Sequence, residues 1–338
     1  MRQARYVEPI YLKGTNITEH ARRYEGDATM VVLAGRTGKE KGAFPLPAAA
    51  DDCFLFADLT GRGRREDLVV KDRYWNLWGI SHEGKVLWHW EGSPGHYPAI
   101  GDMDDDGRDE VWVGLALLDH DGKVLFERRS GDHQDAVYVV RLKDGSWRLL
   151  EVTDAIRCWN AKGRELWAHK LLHAQHVVVG RFRADSEMQV AVIDRGTLRP
   201  DGTVAPATLY LYDLHGKEIW RRVQPPGSHY AGIVLIDWFG PGALQGILCY
   251  SRGHQNGQRE KAAVYDGTGR IADELAMQYA PAHAAAGAKT DFYGTRANVW
   301  GDGRDEVILF NSYGCCVYTN VKAFNPPNLY NHNLYPGM

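Results

Sequence analysis

The chain lacks most of the features by which protein classes announce themselves. Its 338 residues include five cysteines, Cys53, Cys158, Cys249, Cys315 and Cys316. The number is odd, the spacing is scattered and no C-x-x-C pair occurs, which excludes a disulfide framework and the common zinc and redox motifs. The expectation is buried or half-buried thiols in a reducing compartment. No apolar run approaches the length of a membrane span. The first residues, Met1-Arg-Gln-Ala-Arg-Tyr-Val-Glu-Pro9, carry positive charge but no apolar h-region, so they do not form a signal peptide. As written the chain reads as cytoplasmic, or as secreted or periplasmic if a leader has been removed. An excess of basic residues is also missing. Forty Lys and Arg face 43 Asp and Glu, for a net charge of −3, which argues against nucleic acid and membrane surfaces as partners. Long helical periodicity is absent. The one Ala-rich stretch, Ala282–Lys289, is interrupted by Gly287. No P-loop, dinucleotide fingerprint or nucleophile elbow is found.

What is present is repetition. An apolar strand, an acidic turn and a second strand recur at Phe54–Val70, Ala99–Val113, Val177–Arg183, Ile233–Asp237 and Ala297–Leu309. A hairpin ending on an aromatic follows at Gly84–Trp88, Gly122–Phe126, Gly163–Trp167 and Gly216–Trp220. The period of about 40 to 55 residues points to an all-β propeller. Blade-like units begin near Phe54, Ala99, Ala136, Val177, Ile233 and Ala297. The strand-like segment Asp27–Ala34 would close the ring by pairing with Val307–Phe310 or Val317–Val321, which removes exposed edges. The expectation is one propeller domain over residues 1–338, seven-bladed with six and eight blades as the alternatives, and with no linker inside it. Most of the 11 tryptophans would then pack between blades.

Two constellations carry chemistry. The first is Asp102-Met-Asp-Asp-Asp-Gly-Arg-Asp-Glu110. Oxygen donors at alternate positions, with a glycine for the sharp turn, suit a hard cation such as Ca²⁺. Asp102, Asp104, Asp106 and Glu110 are the candidate ligands, in a structural role; a hydrogen-bonded turn is the alternative. The equivalent turns are degenerate: Asp58, Thr60 and Arg62 in one, Asn298, Trp300 and Asp302 in another.

The second is a series of polar residues just upstream of the innermost strands. It runs Asp51-Asp52, His96-Tyr97, Asp132-His133, His173 with His176, His229-Tyr230, and Asp291 with Tyr293 and Arg296. In a propeller these positions converge on one end of the central channel, a polar concavity suited to an anionic ligand. His82, His89, His120, His169 and His215 fall on hairpins or outer strands and read as structural. Arg73 and Arg157 lie in repeat hairpins from which they could reach the channel.

The segments Gly95–Glu110, Leu118–Leu125, Ser130–Ala136 and Ala155–Trp167 resemble β-propeller polysaccharide lyases: the ulvan lyases, the L-rhamnose–glucuronate lyases and the rhamnogalacturonan lyases. The acidic turn is similar to the loops of FG-GAP propellers. The seven-bladed ulvan-type lyases carry a second histidine where this chain has Ala116 and Leu117. The resemblance implies cleavage of an acidic, uronate-containing glycan by β-elimination. The proton α to the carboxylate leaves C5 and the glycosidic oxygen leaves C4. His133 or His176 would be the base, and His229 or Tyr230 the acid. His96, Tyr97, His173, Tyr293 and Arg296 would bind substrate. A non-catalytic FG-GAP-type binding propeller and a glycoside hydrolase are the alternatives. The first predicts that His133 and His176 are dispensable for binding, the second that no double bond appears in the product.

Overall fold

The computed structural model describes residues 28–50, 53–72, 75–128, 134–195, 205–224, 228–254, 261–278, 292–311 and 313–321. For 228–231 and 251–254 it describes the backbone alone. Among the described residues there is no helix; every element is a strand. Among these residues no helix is therefore long and apolar enough to cross a membrane. All five cysteines are free thiols, Cys158 and Cys249 buried but Cys315 exposed.

The chain divides into two compact units, Met1–Lys170 and Leu171–Met338. In the first, β1 (Ala28–Leu33) and β2 (Glu40–Leu46) form a two-stranded sheet. Three four-stranded sheets follow. They are β3 (Phe54–Ala57) with β4 (Asp67–Lys71), β5 (Asn76–Ile80) and β6 (Val86–Glu91); β7 (Ala99–Gly101) with β8 (Glu110–Trp112), β9 (Ala116–Leu118) and β10 (Val124–Glu127); and β11 (Ala136–Arg141) with β12 (Trp147–Val152), β13 (Ala155–Trp159) and β14 (Glu165–Lys170). The second unit holds β15 (Ala174–Gly180) with β16 (Gln189–Asp194), β17 (Thr208–Asp213) and β18 (Glu218–Val223). It continues with β19 (Ser228–Ile236), β20 (Gly246–His254), β21 (Lys261–Tyr265) and β22 (Ile271–Ala276). A three-stranded sheet ends it, β23 (Tyr293–Ala297), β24 (Glu306–Asn311) and β25 (Gly314–Tyr318).

Each sheet is an antiparallel meander in chain order, the build of a propeller blade. Within the first unit the leading strand β3 abuts β7, and β7 abuts β11; within the second, β15 abuts β19 and β19 abuts β23. The sequence boundaries at Phe54, Ala99 and Ala136 coincide with observed strand starts, and the later sheets begin three to five residues ahead of Val177, Ile233 and Ala297, at Ala174, Ser228 and Tyr293. The partner of β1 is β2, a strand not foreseen from the sequence. Met30, Phe44 and Leu46 of this pair pack on Leu68, Val70 and Ile80.

Burial explains the strand patterns. The second strands β4, β8 and β16 are buried throughout. The fourth strand is a sheet's outer edge, and in β6 exposed and buried residues alternate over Trp88–Glu91. The hairpin aromatics tie one sheet to the next. Trp88 Nε1 donates to the His120 carbonyl at 2.7 Å, and Trp220 Nε1 to the Gly267 carbonyl at 3.0 Å. Trp88 also lies over Gly122. Truncating such a packed tryptophan costs roughly 3–5 kcal/mol.

A second link recurs at the downstream end of the leading strands. The backbone N–H groups of Asp58, Arg181 and Asp237 donate to the side chains of Asp109, Gln245 and Asp305, at 2.8, 2.9 and 2.8 Å. The backbone of Asp109, Gln245 and Asp305 returns the bond to the carbonyls of the same three residues. Each clasp joins one sheet to its successor within a unit.

Candidate functional site

Four turns between first and second strands share one device. The residue opening the second strand reaches back to accept backbone N–H groups of the turn. Asp67 takes Leu59 N and Thr60 N at 3.0 and 2.9 Å, the Thr60 hydroxyl at 2.7 Å and His82 N at 2.9 Å. Gln189 Oε1 takes Phe182 N and Arg183 N, both at 2.8 Å. Glu306 takes Val299 N at 2.7 Å, Trp300 N at 3.2 Å and the Thr319 hydroxyl at 3.2 Å. Glu110 differs: Oε2 takes Met103 N at 2.5 Å, while Oε1 is buried with no hydrogen-bond partner, as is Asp102 Oδ1.

These orphaned oxygens lie among further acids. Asp102, Asp104 and Glu110 bring oxygens within 4.8 Å of one another, and so do Asp106 and Glu110 with a nitrogen of His120. The four carboxylates expected from the sequence thus form two overlapping triads that share Glu110. His120, read from the sequence as a structural residue, and Asp119, not singled out there, arrive from the β9–β10 hairpin. His120 Nδ1 is 2.7 Å from Asp119 and 3.7 Å from Asp106, and Nε2 accepts from Arg108 at 3.1 Å. Asp105 sits at φ 65°, the only described non-glycine residue with positive φ. Burial pushes the Glu110 carboxyl up to about 8, and the charges of Asp104, Asp119 and Asp106 push the same way against the Met103 N–H. Unpartnered carboxylate oxygens facing one another fit a hard cation.

At the upstream end of the leading strands in the first unit, the loop before β7 is tied to the residues before β11. His96 N donates to the Gln134 carbonyl at 2.9 Å, and Cys53 Sγ to the His96 carbonyl at 3.5 Å. His96 is half-buried, Tyr97 is exposed, and their ring centroids are 6.1 Å apart. Asp51, Asp52, Arg73, Asp132 and His133 lie outside the described residues. Arg157 is held by Asp154 at 3.5 Å and by the buried Glu151 at 3.9 Å.

The second unit brings its polar residues closer together. β15 and β16 slip register between Ala174 and His176, so Gln175 is an extra, bulged residue. Such bulges re-aim side chains. Around it lie His173, His176 and an arginine not foreseen from the sequence. Arg195 Nη1 donates to Gln175 Oε1 at 2.7 Å and Nη2 to His173 Nδ1 at 3.3 Å. Asp194, the neighbouring acid, receives Leu172 N at 2.8 Å and His173 N at 3.1 Å. His176 Nδ1 accepts the backbone N–H of Ile233 at 3.3 Å.

Tyr250, on the second strand β20, completes this group. A Cβ on Gly232 would meet the Tyr250 hydroxyl at 2.8 Å and His176 Cε1 at 3.1 Å; one on Gly294 would meet the Tyr250 ring at 2.8 Å. Two side-chain-free positions in leading strands therefore seat the phenol beside the imidazole. Glycine within an apolar strand was the available sequence signal for this close approach.

The remaining candidates divide. His229 and Tyr230 lie in β19, and their side chains, with Asp291, fall outside the described residues. Tyr293 opens β23 and stacks on Phe310 at 5.6 Å. Arg296 also belongs to β23. It lies near the downstream end of β23, 2.5 Å from Asp305 and 3.7 Å from Asp237 at the inter-sheet clasp. Two carboxylates flank it there.

No protein-family model matches the chain. A rhamnogalacturonan endolyase, YesW of Bacillus subtilis (strain 168), is 25% identical over 156 residues, covering 38% of this chain and 25% of that protein. Among solved structures, the exotype rhamnogalacturonan lyase YesX has 20% identity and a TM-score of 0.58, covering 88% of this chain and 53% of that one. BamB of Moraxella catarrhalis has 16% identity and a TM-score of 0.54, covering 88% and 78%. The chain spans about half the length of the rhamnogalacturonan lyase structures it matches. It therefore resembles rhamnogalacturonan lyases in fold, on the likeness the sequence segments had suggested.

Proposed function

We propose that the protein is a polysaccharide lyase that cleaves a rhamnose–uronate type glycan at C4 of the uronate by β-elimination. The observation that carries this reading is the group His173, His176, Arg195 and Tyr250 in the second unit. It combines imidazole, phenol and guanidinium, the types that elimination α to a carboxylate needs. The likeness in fold to rhamnogalacturonan lyases supports it.

The hydrogen bonds refine the roles. Arginine can only donate, so His173 Nδ1 is an acceptor and the ring's proton sits on Nε2. The Ile233 N–H fixes His176 in the same tautomer. Protonating Nδ1 of His176 would set its new N–H against that of Ile233. With Nδ1 occupied, His176 offers a hydrogen bond from its neutral Nε2–H to the departing C4 oxygen, and the proton that oxygen takes up is assigned to His229 or Tyr230. The base is assigned to His133, with His229 and Tyr230 as further proton-transfer groups. His96, Tyr97 and Tyr293 are assigned to substrate binding.

The proposal includes Ca²⁺ held by Asp102, Asp104 and Glu110, with Asp106 at the margin. When bound it neutralises the turn's carboxylates; its role is structural.

The test is incubation with rhamnogalacturonan, ulvan and rhamnose-capped glucuronate glycans. The expected product carries a double bond conjugated to the carboxylate and gains ultraviolet absorbance. Shortened products without that absorbance would mean hydrolysis. Binding without cleavage would mean a non-catalytic propeller.

A further inference from the structure

We propose that a cavity at the downstream end of the second unit is an accessory site for a neutral 6-deoxyhexose. Its sugar class rests on the lyase reading, in which rhamnose is the neutral neighbour of the uronate. The cavity is walled by the β15–β16 turn, the β19–β20 turn and the β21–β22 hairpin. Its volume, about 520 Å³, falls in the roughly 300–1,000 Å³ range of small-molecule sites. It lies beyond Gly180, at the other end of β15 from His173 and His176, roughly 20 Å along the strand. The repeat explains why this space is open. The residue before each clasp partner is Arg108, Leu244 or Arg304. Arg108 lies over Gly61 of the preceding turn and donates to His120 Nε2 at 3.1 Å. Arg304 donates to the Asn320 carbonyl. Leu244 can do neither. Gly267 stands where the first unit has His120, since the carbonyl of each accepts a tryptophan Nε1. A Cβ on Gly267 would meet the Phe182 carbonyl oxygen at 1.8 Å. Two side chains that fill the first unit's turn are therefore missing from the second.

The lining decides what fits. Phe182 is buried and Phe239 and Leu244 are half-buried, which gives the cavity an apolar floor. Arg183, Asp185 and Asp266 are more polar walls. The turn is fixed by Gln189 Oε1, which takes Phe182 N and Arg183 N, and by Arg183 Nη1, which donates to the Gly267 carbonyl at 3.4 Å. The wall charges are already committed. Arg183 donates to Asp185 from Nε at 3.0 Å and from Nη2 at 2.5 Å. Asp266 Oδ1 accepts Thr268 N at 2.8 Å, its hydroxyl at 2.7 Å and Arg270 N at 3.1 Å. Arg183 is thus paired, and the Asp266 carboxylate repels an anion, so a uronate is disfavoured. Carboxylate oxygens accept several hydrogen bonds and hold hydroxyl donors strongly. Acceptors above an apolar floor suit a ring with one hydrocarbon face and several hydroxyls. A methyl group at C6 rests on that floor without burying an unpaired hydroxyl.

The test is amide-resolved NMR on the full chain, titrated with a methyl rhamnoside, its 6-hydroxylated counterpart and a methyl glucuronide. Signals of Ala184 and Thr268 report on the cavity, and that of His176 on the other end of β15. The rhamnoside should shift Ala184 and Thr268. It should bind about tenfold more tightly than its 6-hydroxylated counterpart, and the glucuronide should leave both signals in place. Equal affinity for either of the other two glycosides overturns the inference, as do rhamnoside shifts confined to His176. Leu244→Arg restores the residue type that the repeat carries at Arg108 and Arg304, and it should fill the cavity and abolish the Thr268 shift. A shift that persists in this variant overturns the inference. If Leu244→Arg does not fold, Ala184→Trp fills the cavity from an exposed position and should abolish the same shift; persistence there overturns it too. Cavity shifts in a wild type that yields no unsaturated product from any glycan would sink the lyase reading and spare the site. Elimination by a wild type whose cavity signals never move would do the reverse.

Discussion

Glu110 and Glu306 open the second strands of two sheets, and both are fully buried at 0% exposure. Around Glu306 the chain supplies two backbone N–H groups and a threonine hydroxyl. Around Glu110 it supplies one N–H and three further acids that raise the carboxyl's affinity for protons. Gln189 shows that an uncharged amide can fill the same position. The common task of this position is to collect the turn's amides. Acids that could hold a cation gather where the turn itself supplies carboxylates in place of donors.

The largest way to sharpen the contrast is pH. With divalent ions chelated, the folded protein holds a proton on Glu110 up to about pH 8, whereas the unfolded chain releases it near pH 4.3. Between those values the folded state binds more protons, so stability falls as pH rises, by up to about 1.4 kcal/mol per pH unit. Urea melts between pH 5 and 8 should show this decline in the wild type, and Glu110→Gln should flatten it. Asp67 has the opposite sign. Burial works to raise its carboxyl, but hydrogen bonds from Thr60, His82 and Leu59 outweigh that and hold it below its ordinary value. Its contribution is present above the unfolded carboxylate range and is lost as pH falls through its folded pKa. Asp67→Asn turns an amide N–H₂ toward those donors and should cost about 3 kcal/mol at neutral pH by denaturant melting.

Calcium tests the same pair from the other side. At a hundredfold excess over Kd, the ion should stabilise the wild type by about 2.7 kcal/mol. Glu110→Gln should lose that gain while melting no lower than the wild type in chelator at pH 8. Glu306→Gln should keep the calcium gain and cost about 1 kcal/mol or less, because an amide oxygen can accept the Val299 and Trp300 N–H groups as Gln189 does for its own turn. A calcium gain lost in Glu306→Gln and kept in Glu110→Gln would invert the assignment.

Much of this was legible in the sequence, and the limit has a physical cause. Sheet boundaries came from local signals: apolar runs, acidic turns and hairpin glycines such as Gly122 beside an aromatic. The alternate acids of the turn at Asp102 are equally local. The inter-sheet clasp joins Asp58 to Asp109, 51 residues apart, and no local pattern announces it. Arg296 looked like a channel cation because it neighbours Tyr293, but β23 carries it toward Asp305 and Asp237 at the clasp. Arg195 was hidden because it follows the apolar strand β16 rather than preceding a leading strand. Tyr250 was hidden likewise, since its placement depends on Gly232 and Gly294 in other strands.

The smallest expected effect decides which triad a cation would occupy. One consists of oxygen ligands, Asp102, Asp104 and Glu110; the other replaces two of these with Asp106 and His120. Calcium takes oxygen donors, and both His120 nitrogens already have neighbours, Asp119 at 2.7 Å and Arg108 at 3.1 Å. His120→Asn should therefore leave the calcium-induced rise in melting temperature unchanged, with stability in chelator within about 0.5 kcal/mol of the wild type. Asp102→Asn should weaken calcium binding, because it replaces one carboxylate of the oxygen triad with a neutral amide. If His120→Asn removed the response and Asp102→Asn did not, the ion would belong to the histidine triad, whose imidazole suits a first-row transition metal better than calcium.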